Sequence, residues 1–278
     1  MKCFDVVGTV LDATYDEVPD KGGKRDELIA NALKRTRDQY KDKLMTEGGP
    51  DFDDPATRFG YVFTYVPAHA HWVYELISKC KEVRDVFEKE KVRVACIGGG
   101  PGSDVVGVLK YLDESDLNCK LFIELIDGCV AWKSTWSDLA FQLDWDETLH
   151  TDYVIHDVAD KATWDSPSKI AKADIITLSF FASEIFHLKN ARKYLKAMLG
   201  QAKSGALVLV NDNRTPEVYG MLDEIAGELG FKTLLAEVGE RKIYDPGESM
   251  AVVKKYAEKF GAKSRLTGSM CWRVYQKP

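Results

Sequence analysis

The feature that most constrains this chain is a glycine-rich turn between a short apolar run and a helical pattern. Residues 92–97 read VRVACI, which predicts a buried β-strand. Residues 104–112 then carry apolar side chains at helical spacing. Glycines let a ligand approach the backbone closely, and a helix start presents unpaired N–H groups. The turn therefore predicts the ligand-binding edge of a doubly wound α/β sheet. Its glycines are Gly98, Gly99, Gly100 and Gly102.

The spacing of these glycines distinguishes between two kinds of nucleotide site. A dinucleotide fingerprint, G-x-G-x-x-G, needs a glycine where this chain has Ser103, so an NAD-dependent dehydrogenase is disfavoured. The turn instead reads G-x-G-x-G through Gly98, Gly100 and Gly102. This pattern resembles motif I of class I methyltransferases that use S-adenosylmethionine (SAM). The resemblance implies SAM as the cofactor, with the turn wrapped around its methionine and ribose parts.

The order of the predicted elements extends this resemblance over about residues 91–278. Further apolar runs predict four strands separated by helices, followed by two late strands. Together they match the seven-stranded methyltransferase sheet. The predicted fold class is α/β, with a seven-stranded Rossmann-like sheet, helices on both faces and an N-terminal helical lid. The further strands are expected at residues 121–126, 153–156, 173–181, 205–210, 231–235 and 270–276.

Two acidic residues follow predicted strands. Asp127 ends the second strand, about 25 residues after the glycines, where a carboxylate accepts hydrogen bonds from ribose hydroxyls. The resemblance implies that Asp157, after the third strand, contacts the adenine amino group. A role as a turn residue is the alternative for each, and Asp127 can also cap a helix. Cys96 stands where this family often has an acidic residue that orients the methionine end of SAM. Cysteine does this poorly, so either a neighbouring group replaces it or SAM binds more weakly.

The first 90 residues are predicted to form a helical cap rather than an independent domain. Residues 24–45 and 58–89 show helical patterns, and an interruption near Pro67 leaves open whether the second stretch is one helix or two. Residues 1–22 are expected to be irregular or a short strand. The expected division is a cap or lid at 1–90 and a methyltransferase core at 91–278. The resemblance implies that the methyl acceptor binds beneath this cap.

An aromatic segment at residues 58–74 is the candidate lining of that site. Tyr61 and Tyr65 are four residues apart and would share a helix face. Aromatic rings exclude water and can face the sulfonium cation. Tyr61 is predicted to contact the cofactor, Tyr65 and His69 to be catalytic, and His71 to contact the acceptor. On a helix the two histidines diverge, and core packing of the whole segment is the alternative.

The residues after the fourth predicted strand are expected to border the acceptor. Ser179 is predicted to contact the cofactor, and Phe180 and Phe181 to stack on a planar acceptor. Glu184 is predicted to be a catalytic base. Packing in the core is the alternative for the phenylalanines. A surface pair with His187 is the alternative for Glu184.

Residues after the fifth strand complete the predicted site. Asp212 is expected to be catalytic and Asn213 to position an amine or hydroxyl acceptor, because polar groups gather at this edge of a parallel sheet. A simple loop of turn-favouring residues is the alternative. The Asp/Asn-Pro-Pro-Tyr/Phe motif of nucleic-acid amino methyltransferases is absent, and so is the Pro-Cys pair of pyrimidine C5 methyltransferases. Both of these chemistries are disfavoured.

The acceptor class stays open between several alternatives. A net charge of −6 provides no broad basic surface for nucleic acid, and an aromatic lid favours a small acceptor. A small-molecule N or O acceptor is therefore the first expectation. Short motifs resemble eukaryotic methyltransferases that include fungal rRNA uracil-N3 enzymes, so RNA is an alternative. Protein methylation and a non-catalytic SAM-binding sensor or scaffold are the others.

Composition places the protein among globular α/β proteins. The chain has 278 residues, of which 45% are hydrophobic, enough for one large domain with an appendage. Six cysteines show no C-x-x-C pair and no zinc spacing, so no metal and a reducing, cytoplasmic compartment are expected. The sequence shows neither a signal-peptide pattern nor an apolar run that would span a membrane.

Overall fold

The computed structural model describes residues 1–40, 49–143, 145, 148–166, 168–243, 248 and 250–278. Before the first strand, the described residues form α1 (Cys3–Glu17), α2 (Gly23–Gln39), α3 (Pro55–Thr64), α4 (Val66–Lys79) and α5 (Lys81–Val86). The expectation of irregular structure over residues 1–22 is wrong, because Phe4, Val7 and Leu11 bury one face of α1. The end of the predicted helix at 41–45 lies outside the described residues.

The predicted helix at 58–89 is interrupted in two places, at Tyr65 and at Cys80. Asp54 begins α3 by accepting a hydrogen bond from the Ala56 backbone N–H at 3.0 Å, and Pro55 occupies the first helical position. Pro67 likewise lies in the first turn of α4. N–H groups in the first turn have no partner within the helix, so a proline there costs no helical hydrogen bond.

The seven-stranded sheet is confirmed. Its order is β3-β2-β1-β4-β5-β7-β6. The first five strands are parallel, and β7 runs antiparallel to both β5 and β6. The strands are β1 (Lys91–Ile97), β2 (Lys120–Asp127), β3 (Leu149–Ile155), β4 (Ile175–Ser179), β5 (Leu207–Asn213), β6 (Lys232–Lys242) and β7 (Thr267–Gln276).

Helices cover both faces of this sheet, as a mainly parallel sheet requires. Along β1, Val94 and Cys96 pack into a cluster that includes the N-terminal helices, whereas Ala95 and Ile97 pack into a second cluster on the other face. The N-terminal helices therefore share one hydrophobic core with the sheet. The remaining α-helices of the described chain are α6 (Ser103–Glu114), α7 (Trp132–Phe141), α8 (Ala182–Ile185), α9 (Ala191–Gly200), α10 (Pro216–Glu228) and α11 (Ala251–Phe260).

Close packing of α4 on α6 joins the N-terminal helices to the sheet. A β-carbon placed on Gly107 would lie 2.5 Å from the Ala70 carbonyl oxygen, so only glycine allows this approach. All six cysteines are free. In the part of the chain that the structure describes, no helix is long and apolar enough to cross a membrane.

Candidate functional site

A cleft of about 190 Å³ lies at the carboxyl ends of the central parallel strands. The chain leaves β1 and β4 toward opposite sides of the sheet, and such a switch point is where open α/β sheets bind ligands. The N-terminal region contributes Phe52 and Tyr61 to the lining. The predicted cofactor and acceptor residues found in the lining are Tyr61, Gly98, Gly99, Gly100, Asp127, Asp157, Ser179, Phe180, Phe181 and Glu184.

Two glycines of the turn are required by the protein's own packing. Gly98 and Gly102 have φ of +72° and +91°, in the left-handed region that favours glycine. A β-carbon on Gly98 would lie 2.2 Å from the Phe181 ring, and one on Gly102 would lie 2.2 Å from the Trp136 ring. Gly102 is thus placed against Trp136 and is not in the cleft lining, so its contact with a cofactor stays a prediction.

Gly100 has a different environment from its neighbours. Its φ is +46°, and the nearest atoms to a β-carbon there would be Trp132 Nε1 at 3.8 Å and Asp127 Oδ2 at 3.9 Å. Its Cα therefore faces the cleft with room in front of it. This is the point of the turn at which a ligand can approach the backbone.

Asp127 lies directly beside this open point. Its Oδ2 accepts a hydrogen bond from the Gly100 N–H, and its Oδ1 accepts one from the Cys129 N–H, each at 2.9 Å. Burial raises the pKa of Asp127 to about 6, although these backbone donors favour the ionised form. A carboxylate has about four acceptor positions, so both oxygens can still accept from ligand hydroxyls.

Asp157 is both a lining residue of the cleft and a turn residue. It lines the cleft, and its Oδ1 also accepts a hydrogen bond from the Ala159 N–H at 2.8 Å in a local turn. Its carbonyl oxygen accepts from Trp164 Nε1 at 2.8 Å. These bonds hold the loop after β3 in place.

The opposite side of the cleft carries an acid with a strongly shifted pKa. Glu184, in α8, accepts a hydrogen bond from Tyr40 Oη at 2.6 Å. Burial raises the pKa of Glu184 to about 8, and the negative charges of Asp127 and Asp212 act in the same direction. The surface pair with His187 is not formed, because Tyr40 from the N-terminal region is the partner.

Five rings form what we call the aromatic wall, consisting of Tyr40, Tyr61, Tyr65, His69 and Phe180. The His69 and Phe180 rings stack with centroids 3.7 Å apart, and the Tyr61 and Tyr65 rings lie 5.3 Å apart. Tyr61 and Phe180 reach the cleft lining. Tyr65 and His69 lie behind them, so neither of these expected catalytic residues lines the cleft.

Two members of the aromatic wall have unusual local environments. Phe180 has φ of +54°, a strained conformation for a residue other than glycine and one that concentrates at functional sites. Burial, followed by the charge of Arg265, holds the pKa of His69 well below its usual range. Its Nε2 has no hydrogen-bond partner among the described residues. His69 is therefore a neutral ring supporting Phe180.

Three further predicted residues do not line the cleft, and they are His71, Asp212 and Asn213. His71 is on the other side of α4, with Nε2 at 3.4 Å from Glu75 Oε1 and Nδ1 at 3.6 Å from Glu248 Oε1. This corrects its expected acceptor contact, because positions 69 and 71 diverge on a helix.

Asp212 and Asn213 are likewise held by α8. Asp212 is fully buried, and its oxygens accept from the N–H groups of Ser183 at 3.1 Å and Asn213 at 2.6 Å. Asn213 Nδ2 donates to Ser183 Oγ at 3.0 Å. They anchor the helix that carries Glu184, and neither of them lines the cleft.

The cleft also contains residues that sequence reasoning did not assign to the site. Phe52 lies in a loop between α2 and α3, with no periodic pattern that would have singled it out. Its ring packs on Trp132 and Tyr61 at 4.9 and 5.2 Å. His156 lines the cleft with Nε2 3.3 Å from the Ser166 carbonyl oxygen. The sequence signal that could have identified His156 is its position directly after β3 and next to Asp157.

Fold and cleft together define an α/β protein with a seven-stranded Rossmann-like sheet and a cleft at its switch point. No family model matches this chain, and no curated protein matches it. Solved structures do resemble it. A protein from Pyrococcus horikoshii, provisionally assigned as an RNA methyltransferase, is 15% identical with a TM-score of 0.47, and the match covers 90% of this chain and 98% of that one.

Two further solved structures are similar over a smaller part of the chain. A TehB-like SAM-dependent methyltransferase from Corynebacterium glutamicum is 13% identical, with a TM-score of 0.43 and coverage of 74% of this chain and 87% of that one. A provisionally assigned sarcosine dimethylglycine methyltransferase from Galdieria sulphuraria is 12% identical, with a TM-score of 0.44 and coverage of 75% and 84%. The function proposed below depends on the residues of the cleft.

Proposed function

We propose that this protein is a SAM-dependent methyltransferase that transfers a methyl group to a nitrogen or oxygen atom of a small-molecule acceptor. The observation that carries the proposal is the hydrogen-bonded pair of Asp127 and the open Gly100 on one side of the switch-point cleft. On the other side of that cleft lie the aromatic wall and Glu184. One side thus has the groups that a nucleoside needs, and the other has the groups that an acceptor needs.

The residues of the cleft fit SAM. A carboxylate at the end of β2 suits two ribose hydroxyls, and the space before Gly100 suits close contact between a ligand and the backbone. Phe52 and Trp132 provide apolar surface beside Asp127. Tyr61 places an aromatic ring where it can face a sulfonium cation. We assign the nucleoside to Asp127 and Asp157.

Methyl transfer requires in-line alignment, exclusion of water and, for many acceptors, removal of a proton. When bound, SAM supplies the methyl group on a positively charged sulfur. Phe180 and Tyr61 bound the space next to it and exclude water. Glu184 accepts the acceptor's proton at a carboxylate oxygen, and Tyr40 holds that carboxylate in place through its hydroxyl. The raised pKa of Glu184 makes it a stronger base than an ordinary carboxylate.

The aromatic wall supports an enzyme over a sensor, and a small acceptor over RNA. A sensor needs no base beside the cofactor, whereas here Glu184 is held by Tyr40 from another part of the chain. Four of the five rings of the wall, those of Tyr61, Tyr65, His69 and Phe180, are buried, and from this apolar surface beside Glu184 we infer a small acceptor. RNA is the alternative acceptor. We also propose that the protein is located in the cytoplasm.

Calorimetric titration with SAM, S-adenosylhomocysteine and NAD tests the cofactor. Micromolar binding of SAM and S-adenosylhomocysteine, without binding of NAD, is the expected result. Binding of NAD alone would contradict the proposal. Transfer of a labelled methyl group is then measured with small amines, phenols and imidazoles in parallel with total RNA. Labelling of RNA but of none of the small molecules would favour the alternative acceptor.

Asp127→Ala is expected to weaken binding of S-adenosylhomocysteine by about 1–3 kcal/mol, because two charge-assisted hydrogen bonds to ribose are lost. Titration calorimetry measures this difference. Asp160→Ala is the matched control, since Asp160 also accepts a backbone N–H bond, from Ala162 at 3.0 Å, but lies outside the cleft lining. Unchanged affinity in Asp127→Ala would remove Asp127 from the site.

A further inference from the structure

A buried carboxylate next to the cleft has an oxygen without a partner. Asp104 lies in the first turn of α6 and is only 1% exposed. Its Oδ2 accepts a hydrogen bond from Thr177 Oγ1 at 2.5 Å. Within the described ranges, its Oδ1 has no hydrogen-bond partner. A buried polar oxygen left in this state destabilises the unliganded protein, and native structures rarely retain one without a reason.

The position of Asp104 connects it to the methionine end of the proposed cofactor site. Thr177 on β4 is paired in register with Cys96 on β1, and α6 packs over this face of the sheet. The preceding residue, Ser103, lines the cleft, as does Ser179 at the end of β4. Asp104 therefore lies beside the ends of β1 and β4, under the glycine-rich turn.

The charge of this group is not balanced by the protein. Burial raises the pKa of Asp104 to about 6, while the hydrogen bond from Thr177 and the nearby Ser179 hydroxyl, which makes no hydrogen bond with Oδ1 in this geometry, favour its ionised form. At neutral pH the carboxylate is thus mostly ionised. The structure gives Asp104 no ion-pair partner in the portions of the chain that it describes. A buried anion with a free oxygen is suited to a ligand that brings a cation with N–H donors.

We propose that the Asp104 carboxylate binds the α-ammonium group of the amino-acid portion of SAM. This inference rests on the proposed function. Asp104 on α6 would then supply the acidic group that Cys96 does not supply from β1. The two positions are alternatives, because a carboxylate at position 96 would lie next to Asp104 and repel it. Cysteine at 96 is thus the compatible residue.

The test compares two ligands that differ in one group. One is S-adenosylhomocysteine, and the other is its analogue in which hydrogen replaces the α-amino group. We expect the wild-type protein to bind S-adenosylhomocysteine roughly 10–100-fold more tightly than the analogue, the range for a hydrogen bond between charged groups. In Asp104→Asn we expect the two ligands to bind with nearly equal affinity. The affinity for S-adenosylhomocysteine should fall, and the affinity for the analogue should not change.

The outcomes separate the inference from the function on which it rests. Equal weakening for both ligands in Asp104→Asn would show a structural role and overturn the inference alone. Absence of S-adenosylhomocysteine binding by the wild-type protein would overturn the proposed function itself. Asp113→Asn, at the exposed end of the same helix, is the matched control and should retain the preference.

A second measurement covers the case in which Asp104→Asn does not fold. The wild-type preference for S-adenosylhomocysteine over the analogue should decrease as the pH falls through about 6, because Asp104 becomes protonated. Asp127 also titrates near pH 6, but it contacts the part common to both ligands and cancels in the ratio. Cys96 stays a thiol, since burial holds its pKa well above the usual range. A ratio independent of pH would overturn the inference.

Discussion

Glu184→Gln is expected to lower the rate constant for methyl transfer by about 10²–10⁴-fold, the range for loss of a general base. Affinity for SAM should stay nearly constant, because Glu184 is assigned to the acceptor side. Glutamine keeps the shape of the side chain, and its oxygen can still accept the hydrogen bond from Tyr40. Single-turnover measurements with an acceptor identified by the screen give this rate constant directly.

The pH dependence of the wild-type rate gives an independent check. Since burial raises the pKa of Glu184 to about 8, only a small fraction is ionised at pH 7. The rate should rise with pH and level off above about 8, measured with an acceptor that does not itself titrate there. Glu184→Gln should show no such rise. His187→Gln, three residues further and exposed, is the control and should behave as wild type.

The same group links stability to pH. The folded pKa of Glu184 lies above its value of 4.5 in the unfolded chain, so the folded state holds this proton more tightly. Its contribution is fully present below about pH 4.5 and is lost as the pH rises through about 8. The free energy of unfolding of wild type relative to Glu184→Gln should thus fall by on the order of a few kcal/mol between these limits. A constant difference would show that Glu184 has an ordinary pKa.

Gly100→Val is expected to reduce binding of SAM and S-adenosylhomocysteine to below the detectable range, a loss of about 100-fold or more. The valine side chain would project into the space that faces Asp127 and Trp132. That space is where the ligand must approach the backbone. No protein atom lies within 3.8 Å of the new β-carbon, so the folded state is retained. Titration calorimetry tests the loss of ligand binding, and thermal unfolding tests whether the folded state is retained.

The control for Gly100→Val must match its backbone strain. Gly205 has φ of +79°, and no atom lies within 4 Å of a β-carbon placed there. Gly205→Val therefore carries a similar strain of roughly 1–2 kcal/mol without touching the cleft. It should melt at a lower temperature and bind SAM normally. Normal binding in Gly100→Val itself would show that the glycine-rich turn has been misassigned.

Residues at the ends of parallel strands were the most predictable part of the site. Asp127 and Asp157 follow strands, and the carboxyl ends of parallel strands meet at one edge, so strand recognition was sufficient to place them. The partner of Glu184 was not predictable in this way. Tyr40 is 144 residues away in sequence, and no local pattern connects two such positions. The same limit applies to Asp212, whose Oδ2 accepts a hydrogen bond from the Ser183 N–H of α8 and whose Oδ1 accepts one from the neighbouring Asn213 N–H.

The sequence by itself determined the alternation of strands and helices, the seven-stranded sheet and the edge at which the cleft lies. Those features follow from local apolar periodicity and from the glycine turn, which act over a few residues. Only the tertiary structure decided that His71 lies away from the cleft, that Phe52 reaches it and that Asp104 is buried with a free oxygen. These depend on how α3, α4 and α6 pack on the sheet, and the packing is set by contacts between residues far apart in the chain.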